Sequence, residues 1–392
     1  MISQLKFDLL TIALVFAVSF LMERYILPKI LLISKKKRLF DIPDNRKEHK
    51  IATPRLAGVS FIPVLLFSFL LVFSIRVWYI CKGQFLLGVS AEEIDRVLPQ
   101  ARALMDFLVE LCMLICGMIL LLLLGIKDDL IGVKFSTKFM VQFFAALCFT
   151  FGGVYFYGVS GVLGVVDLPI WVSIPFSIFV IMLITNSINL IDGIDGLASG
   201  LSIVAVFAMG VSFFQRGFVF QSMLAFSALG VLIPFFIVNV FKGQERKLFM
   251  GDTGSLALGF LLGYLAIRHS LIVPGETLEM RPLLLPISVL FIPAFDVARV
   301  MLARKMQGKP LFMPDRNHIH HKLIDAGFSR RHAMILIVCS SVLLLFVNML
   351  LSLFLDINII LVLDVVFGIL SIVFVDQRIK RRARAIAAEN KP

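Results

Sequence analysis

Hydrophobic residues in this chain come in long unbroken blocks. Apolar stretches of about 18 residues or more are the mark of transmembrane helices. Eleven can be drawn, at roughly 6–27, 57–80, 104–124, 138–157, 168–187, 199–215, 218–240, 254–273, 282–303, 333–354 and 357–376. The pattern predicts an all-α polytopic membrane protein, one integral-membrane domain over residues 1–392 with no soluble module. The first block has no basic segment before it and a long basic loop after it, so it is expected to be retained rather than cleaved as a signal peptide.

Two connecting stretches are unusual. Residues 81–103 form a long loop for this chain and include Ala91-Glu-Glu-Ile-Asp-Arg-Val-Leu98, which reads as a short amphipathic helix on the membrane surface. Residues 304–332 form a longer polar loop ending in Met313-Pro-Asp-Arg-Asn-His-Ile-His-His-Lys322. No internal repeat is visible, which weakens an inverted-repeat transporter reading.

Composition agrees with the pattern: 59% of the 392 residues are hydrophobic and 16% charged, with mean hydropathy +0.96. The net charge of +12 would suggest nucleic acid in a soluble protein, but here its distribution sets orientation. Alternate loops (29–56, 125–138, 186–198, 241–253, 304–332 and the tail 377–392), counted with Arg24 and Arg299, hold about 30 of the 38 basic residues. The positive-inside rule makes that side cytoplasmic, with the N-terminus outside and the C-terminus inside. Lys35-Lys-Lys-Arg38 and Arg378–Arg384 sit where they would meet anionic headgroups. Five cysteines show neither a pairing framework nor metal spacing.

Polar residues then stand out against the apolar background, and all four clusters fall on the expected cytoplasmic side. Asp128 and Asp129 end the third block. A carboxylate pair there suits Mg²⁺, which takes one or two carboxylates plus substrate phosphates; a solvated helix end is the plainer reading. Lys138 and Gln142 would share one helix face, the lysine as a phosphate contact or a snorkelling boundary residue. Thr185–Gly200 places Asn189, Asp192 and Asp195 three residues apart, with Gly193 and Gly196 allowing close approach of a ligand; its Asp-Gly pairs also read as a turn. Phe249-Met-Gly-Asp252-Thr-Gly-Ser255 puts a carboxylate at a helix start, as a phosphate-site residue or a plain N-cap, with Phe249 as a base platform or a buried anchor. Arg316, His318, His320 and His321 crowd six residues. Their spacing is poor for zinc and better suited to gripping a diphosphate. Asp296 and Arg299 are expected to neutralise one another. Glu110 and Asp364 lie inside apolar blocks and call for partners.

Taken together, the Asp-Asp pair, the Asn-x-x-Asn-x-x-Asp-Gly-x-Asp-Gly-Leu run, Gly-Asp-Thr-Gly-Ser-Leu and the late His-rich loop resemble the polyprenyl-phosphate N-acetylhexosamine-1-phosphate transferases, the superfamily of WecA, TagO and MraY. The likeness spans about residues 35–335, in the family's order. Pro314-Asp-Arg-Asn-His-Ile-His-His321 is similar to the WecA/TagO branch rather than MraY, as are Asp41-Ile-Pro-Asp-Asn-Arg-Lys-Glu-His49 and Thr53-Pro-Arg-Leu-Ala-Gly58. The resemblance implies transfer of N-acetylglucosamine 1-phosphate from UDP-GlcNAc to undecaprenyl or another polyprenyl phosphate, releasing UMP. This would be the first membrane step of a cell-surface polysaccharide pathway, at the cytoplasmic face of a bacterial inner membrane. It implies Mg²⁺ or Mn²⁺ on Asp252, with Asp128 and Asp129 placing the lipid phosphate and Lys138 contacting phosphate. Asn189 and Asp195 would reach uridine and Phe249 would stack on uracil. Asp192 would support that loop or the metal, and Arg316, His318, His320 and His321 would hold the diphosphate or sugar. Family members are often homodimers. One departure is Gly132, where the family often has a third acid. The alternatives are the same reaction with another UDP-N-acetylhexosamine or with UDP-MurNAc-pentapeptide, and, further off, a secondary transporter, which would need acids near the bilayer midplane.

Overall fold

The computed structural model describes residues 2–41, 53–86, 91–159, 161–271, 282–310 and 316–389. The motif residues 42–49 and 313–315 lie outside the described residues. All eleven apolar stretches fall on helices: α1 (Ile2–Lys36), α2 (Phe61–Leu86), α3 (Ala91–Ile131), α4 (Phe135–Phe151), α5 (Ile170–Ile191), α6 (Leu197–Gln215), α7 (Val219–Phe241), α8 (Gly251–Ser270), α9 (Leu284–Met306), then a short α10 (Ile319–Asp325), α11 (Arg330–Leu351) and α12 (Ile357–Glu389). Among the described residues, nine helices are long and apolar enough to cross a membrane. The other two expected blocks fall on helices that miss this measure of length and composition. α4 has only 17 residues. α8 opens on Gly-Asp-Thr-Gly-Ser and closes on Arg-His-Ser, so its ends are polar.

Two expectations change. Residues 81–103 are mostly helical rather than a loop: α2 runs to Leu86 and α3 starts at Ala91. The amphipathic 91–98 segment is the first turns of one 41-residue helix. Only Pro99 stands between the polar turns and the apolar ones that follow, and the helix runs on through it. The basic tail is likewise the continuation of α12 through Glu389.

The core is built around α8. Nearly every residue from Thr253 to Ser270 is buried, and α3, α5 and α6 pack against it. Between lipid-exposed helices the hydrophobic effect supplies little, so close packing and interhelical hydrogen bonds carry the association. Phe149 of α4 meets Phe260 at 5.0 Å between ring centroids and Tyr264 at 6.1 Å. On the periphery, α1 and α12 present exposed leucines, valines and phenylalanines, as lipid-facing helices do.

At one end of the bundle the chain adds a small device. β1 (Phe40–Asp41) pairs antiparallel with β2 (Thr53–Pro54), Phe40 opposite Pro54. The main chain after β2 then laces onto the residues preceding α8. Phe249 N–H donates to Pro54 O (2.8 Å), Ala57 N–H to Phe249 O (3.2 Å) and Gly58 N–H to Met250 O (2.9 Å). The segment that follows α1 is thereby fixed against the start of α8.

Candidate active site

The start of α8 needs acceptors for its free N–H groups. They come from another helix. Asp129 of α3 accepts Asp252 N–H on Oδ1 (2.9 Å), and on Oδ2 both Thr253 N–H (3.0 Å) and Thr253 Oγ1–H (2.6 Å). Asp129 is thus the tertiary N-cap of α8, from 123 residues away. Gly251 makes this possible. Its φ is +72°, a value that disfavours side chains, and a Cβ there would fall 2.3 Å from Arg55 O and 2.6 Å from Asp129 Oδ2. Arg55 completes the junction, donating from Nη2 to Asp129 O at 3.1 Å.

Asp128, the neighbour, points elsewhere. One residue along a helix turns a side chain by about 100°. Its Oδ1 accepts Val133 N–H (2.7 Å), and its Oδ2 is ion-paired with Lys138 Nζ. Lys138 also donates to Asp252 Oδ2 at 3.2 Å. The carboxylates of Asp128 and Asp252 lie close enough to act on each other directly. Asp252 Oδ1 accepts from Asn189 Nδ2 (2.7 Å), which also donates to Ser255 Oγ (2.8 Å). Asn189 is therefore tied to the acid of the Gly-Asp-Thr-Gly-Ser motif. Below this layer, Gln142 and Asn186 exchange amide hydrogen bonds of 2.6 and 3.4 Å.

The turn after α5 closes the next side. Asp192 is its C-cap residue and Gly196 the N-cap of α6. Burial, followed by the negative charges of Asp252, Asp195 and Asp129, pushes the Asp192 carboxyl up to about 7. Asp195 pairs with Lys247 Nζ, which lies 5.4 Å above the Phe249 ring. Asn239 staples the turn, accepting Gly196 N–H (2.6 Å) and donating to Leu248 O (2.8 Å).

The histidine segment docks on this turn. Asp296 of α9 accepts Ile319 N–H (3.0 Å) and so caps α10; it also meets His318 Nδ1 at 2.8 Å and Arg299 Nη2 at 2.7 Å. The expected Asp296–Arg299 pair exists, with a larger task. His318 is buried as part of that pairing. His320 is 1% exposed, and neither ring nitrogen has a hydrogen-bond partner. Burial first, then His321 and His318, hold it down to about 3, so it is neutral. A Cβ at Gly193 would sit 2.2 Å from its Nε2, so only glycine lets the ring seat there. His321 lies 4.2 Å from His320, ring to ring, and Arg316 is exposed ahead of α10. From behind, α12 clasps α10. Lys322 pairs with Asp376 at 2.5 Å, Arg378 Nε donates to Ala326 O at 3.3 Å and Arg382 Nη1 to Asp325 O at 3.1 Å.

One structure thus gathers Asp128, Asp129, Lys138, Asn189, Asp192, Asp195, Phe249 and Asp252, with the histidine helix seated on their turn. Sequence reasoning quoted Arg55 and Ser255 within motifs without giving them a role, and passed over Lys247 and Asn239. Lys247 left a weaker trace, a lysine two residues before Phe249.

The donor set fits a small hard cation. Around the turn and the start of α8, Asp128 and Asp252 share the ammonium of Lys138 and Asp195 pairs with Lys247, while Asp192 lies near Asp252, Asp195 and Asp129, so carboxyl groups outnumber ammonium groups. Among the described residues no three His, Cys, Asp or Glu side chains are arranged as a ready-made metal cage. Mg²⁺ does not require one, since it keeps several waters and takes one or two carboxylates beside substrate phosphates.

A buried helical bundle opening at one end onto such an acidic cradle, rimmed by lysines and histidines, defines a polytopic membrane protein built to handle charged groups at the bilayer edge. The model of glycosyl transferase family 4 matches residues 111–270 of the chain, from within α3 through α8. The chain is 29% identical over 332 residues to a probable undecaprenyl-phosphate N-acetylglucosaminyl 1-phosphate transferase of Bacillus subtilis, covering 84% of this chain and 82% of that one. It is 26% identical over 322 residues (80% and 76%) to the undecaprenyl-phosphate alpha-N-acetylglucosaminyl 1-phosphate transferase of Yersinia pestis. To the protein of that name in Escherichia coli K12 it is 27% identical over 318 residues (80% and 76%).

Proposed function

We propose that this protein transfers N-acetylglucosamine 1-phosphate from UDP-GlcNAc to undecaprenyl phosphate or a related polyprenyl phosphate. The observation that carries the reading is the convergence of Asp128, Lys138, Asn189 and Asp252 on one cradle, in a chain whose relatives bear that activity in their names. An oxygen of the lipid phosphate attacks the β-phosphorus of the nucleotide sugar. The bond from that phosphorus to the bridging oxygen breaks, and UMP departs with the electron pair. Phosphoryl transfer of this kind needs positioning and charge neutralisation more than covalent help. When bound, Mg²⁺ would neutralise charge on the diphosphate, with Asp252 and Asp128 as its carboxylates. Lys138 holds these two acids together and offers its ammonium to phosphate oxygens. Asn189 fixes the rotamer of Asp252. Asp195, Lys247 and Phe249 lie together on one flank, suited to a nucleoside. His320, kept neutral, presents its ring to the Asp192–Gly193 turn. The clustering of basic residues on that side supports a cytoplasmic site, where nucleotide sugars are supplied.

The test is a panel of UDP-sugars with polyprenyl phosphate and Mg²⁺, reading UMP release in detergent-purified protein. UDP-GlcNAc is expected to lead. Release from UDP-MurNAc-pentapeptide alone would move the assignment to the other branch, and release from none would overturn it.

A further inference from the structure

A second charged pocket lies across the Asp129 junction from the cradle. It is a polar cavity of about 160 Å³ lined by Arg38, Leu39, Arg55, Leu56, Asp129 and Leu130. Two separate pieces of chain build it. Arg38 follows the end of α1 in a left-handed conformation, φ 54°, that is rare for a non-glycine residue. Arg55 follows β2. The β1–β2 pairing, with Phe40 opposite Pro54, brings the two arginines to the same end of the ribbon.

The charge of this pocket is positive. Among the described lining residues Asp129 is the one acid; its carboxylate accepts from the N-terminus of α8 and Thr253 and also lies 3.8 Å from Arg55 Nε, so two guanidinium groups face one carboxylate. Arg55 is anchored from below, through Nη2 to Asp129 O, and its side chain is still 34% exposed. Arg38 is exposed as well. Paired guanidinium groups are the preferred recognition elements for phosphate.

Position then selects the ligand. Arg38 directly continues the Lys35-Lys36-Lys37 run at the end of a helix that has the length and hydropathy of a membrane span. The pocket therefore sits at headgroup level, where an anion tethered to a lipid arrives. It is also one residue from the cradle: Arg55 O abuts Gly251, next to Asp252. The nucleoside flank of Asp195, Lys247 and Phe249 is built from the turn after α5 and the residues before α8, whereas the arginine pocket belongs to α1, the ribbon and the end of α3. In-line transfer needs the attacking and departing oxygens on opposite sides of the phosphorus.

We infer that the Arg38–Arg55 pocket receives the phosphate monoester of the lipid acceptor and delivers it to the cradle. This rests on the transferase reading above for its acceptor, while the pocket itself is testable by binding alone. Arg38 and Arg55 are then binding residues for the acceptor, not catalytic ones.

The experiment compares wild type with Arg38→Gln, Arg38→Lys and Arg55→Gln, each checked for a wild-type melting temperature. Steady-state UMP release is measured against polyprenyl phosphate and, separately, against UDP-GlcNAc. Arg38→Gln is expected to raise KM for the lipid by roughly tenfold, the scale of one lost charge-assisted hydrogen bond, with KM for UDP-GlcNAc unchanged and partial recovery in Arg38→Lys. An unchanged lipid KM in Arg38→Gln, or an equal rise for both substrates, overturns the proposal and leaves the transferase reading intact. Arg55→Gln is informative only if it melts as wild type does, so Arg38→Gln carries the decision. The second arm is independent of turnover: retention of polyprenyl phosphate, phosphatidylglycerol or inorganic phosphate by native mass spectrometry. Loss of polyprenyl phosphate alone in Arg38→Gln supports an acceptor site. Loss of all three, or of phosphatidylglycerol alone, shows a general anion or headgroup site and overturns the acceptor assignment. If the wild type released no UMP yet lost polyprenyl phosphate on Arg38→Gln, the pocket would stand and the reaction would fall.

Discussion

α8 carries a charged cluster at each end, and the two are built on opposite principles. Near its last turns, Tyr264 donates to Glu110, and Arg268 Nε lies 3.3 Å from the same carboxylate. His269 has both ring nitrogens engaged, with Ser212 Oγ at 2.8 Å and Pro282 O at 2.7 Å. Here one carboxylate faces the guanidinium of Arg268, with Arg216 donating to the carbonyls of His269 and Leu271, so no carboxylate is in excess. At the first turn, about 18 Å away at 1.5 Å per residue, acids outnumber their counter-charges, and one of them, Asp192, is pushed up to about 7. A network that satisfies itself holds helices together. One that leaves charge uncompensated is waiting for a partner, because buried charge is costly until it is paired.

The widest separation between the two ends is expected from Asp252→Ala. It should lower UMP release by at least about 10²-fold, the scale of losing a group that neutralises transition-state charge, with little change in melting temperature. Asp129→Ala comes next and should behave differently from its neighbour Asp128→Asn. Stripping the cap from α8 costs stability by about 1–2 kcal/mol, seen as a lower melting temperature, whereas Asp128→Asn should spare the melting temperature and reduce turnover. If both variants lost only turnover, Asp129 would belong to the chemistry and not to the fold. At the far end, Tyr264→Phe removes the donor to Glu110 and should cost about 1–3 kcal/mol, with the KM values unmoved. A shift in substrate affinity there would erase the contrast between the two ends.

A subtler effect is pH. Asp192 titrates near 7 in the folded protein against an ordinary 3.8. Between about 4 and 7 the native state holds more protons than the unfolded chain, so this group's contribution falls as pH rises through that window and is flat above it. Asp192→Asn should therefore gain stability over wild type at pH 8 and not at pH 4. With limiting Mg²⁺, wild-type activity should rise toward pH 7 as the Asp192 carboxyl ionises and adds its charge beside Asp252, and the variant should lose that rise. His320 gives the smallest signal. Held down to about 3 from 6.5, it favours folding above about 6.5 and loses that contribution as pH falls toward 3. His320→Gln should be less acid-sensitive in a melting scan.

The apolar blocks announced the helices because lipid demands long uninterrupted runs, and every block landed on one. The acids of the cradle were legible for the same reason: a carboxylate beside hydrocarbon has to be accounted for. The division of labour within Asp128–Asp129 was not. Adjacent identical residues differ only in direction, and Asp129's partners lie 123 and 124 positions away. Asp296 read as a local pair with Arg299, three residues on, because spacing reveals i, i+3 neighbours; its capping of α10 is a long-range contact with no period to betray it. Lys247 was hidden among the many basic residues of the connecting loops, and Arg55 lay in a quoted motif whose spelling gave it no partner. Glu110 and Asp364 called for partners and have them, in Tyr264 with Arg268 and in Asn348, whose Nδ2 donates to Asp364 at 2.8 Å.

The clasp of α12 on α10 has a practical reach. The last helix does not simply end; through Asp376, Arg378 and Arg382 it steadies the short segment that carries three histidines to the cradle. Anything fused directly behind Glu389, an affinity tag or a fluorescent reporter, is joined to the helix that holds the histidine segment in place. An assay on C-terminally tagged protein would report a loosened hold as poor turnover, so the tag belongs at the other terminus.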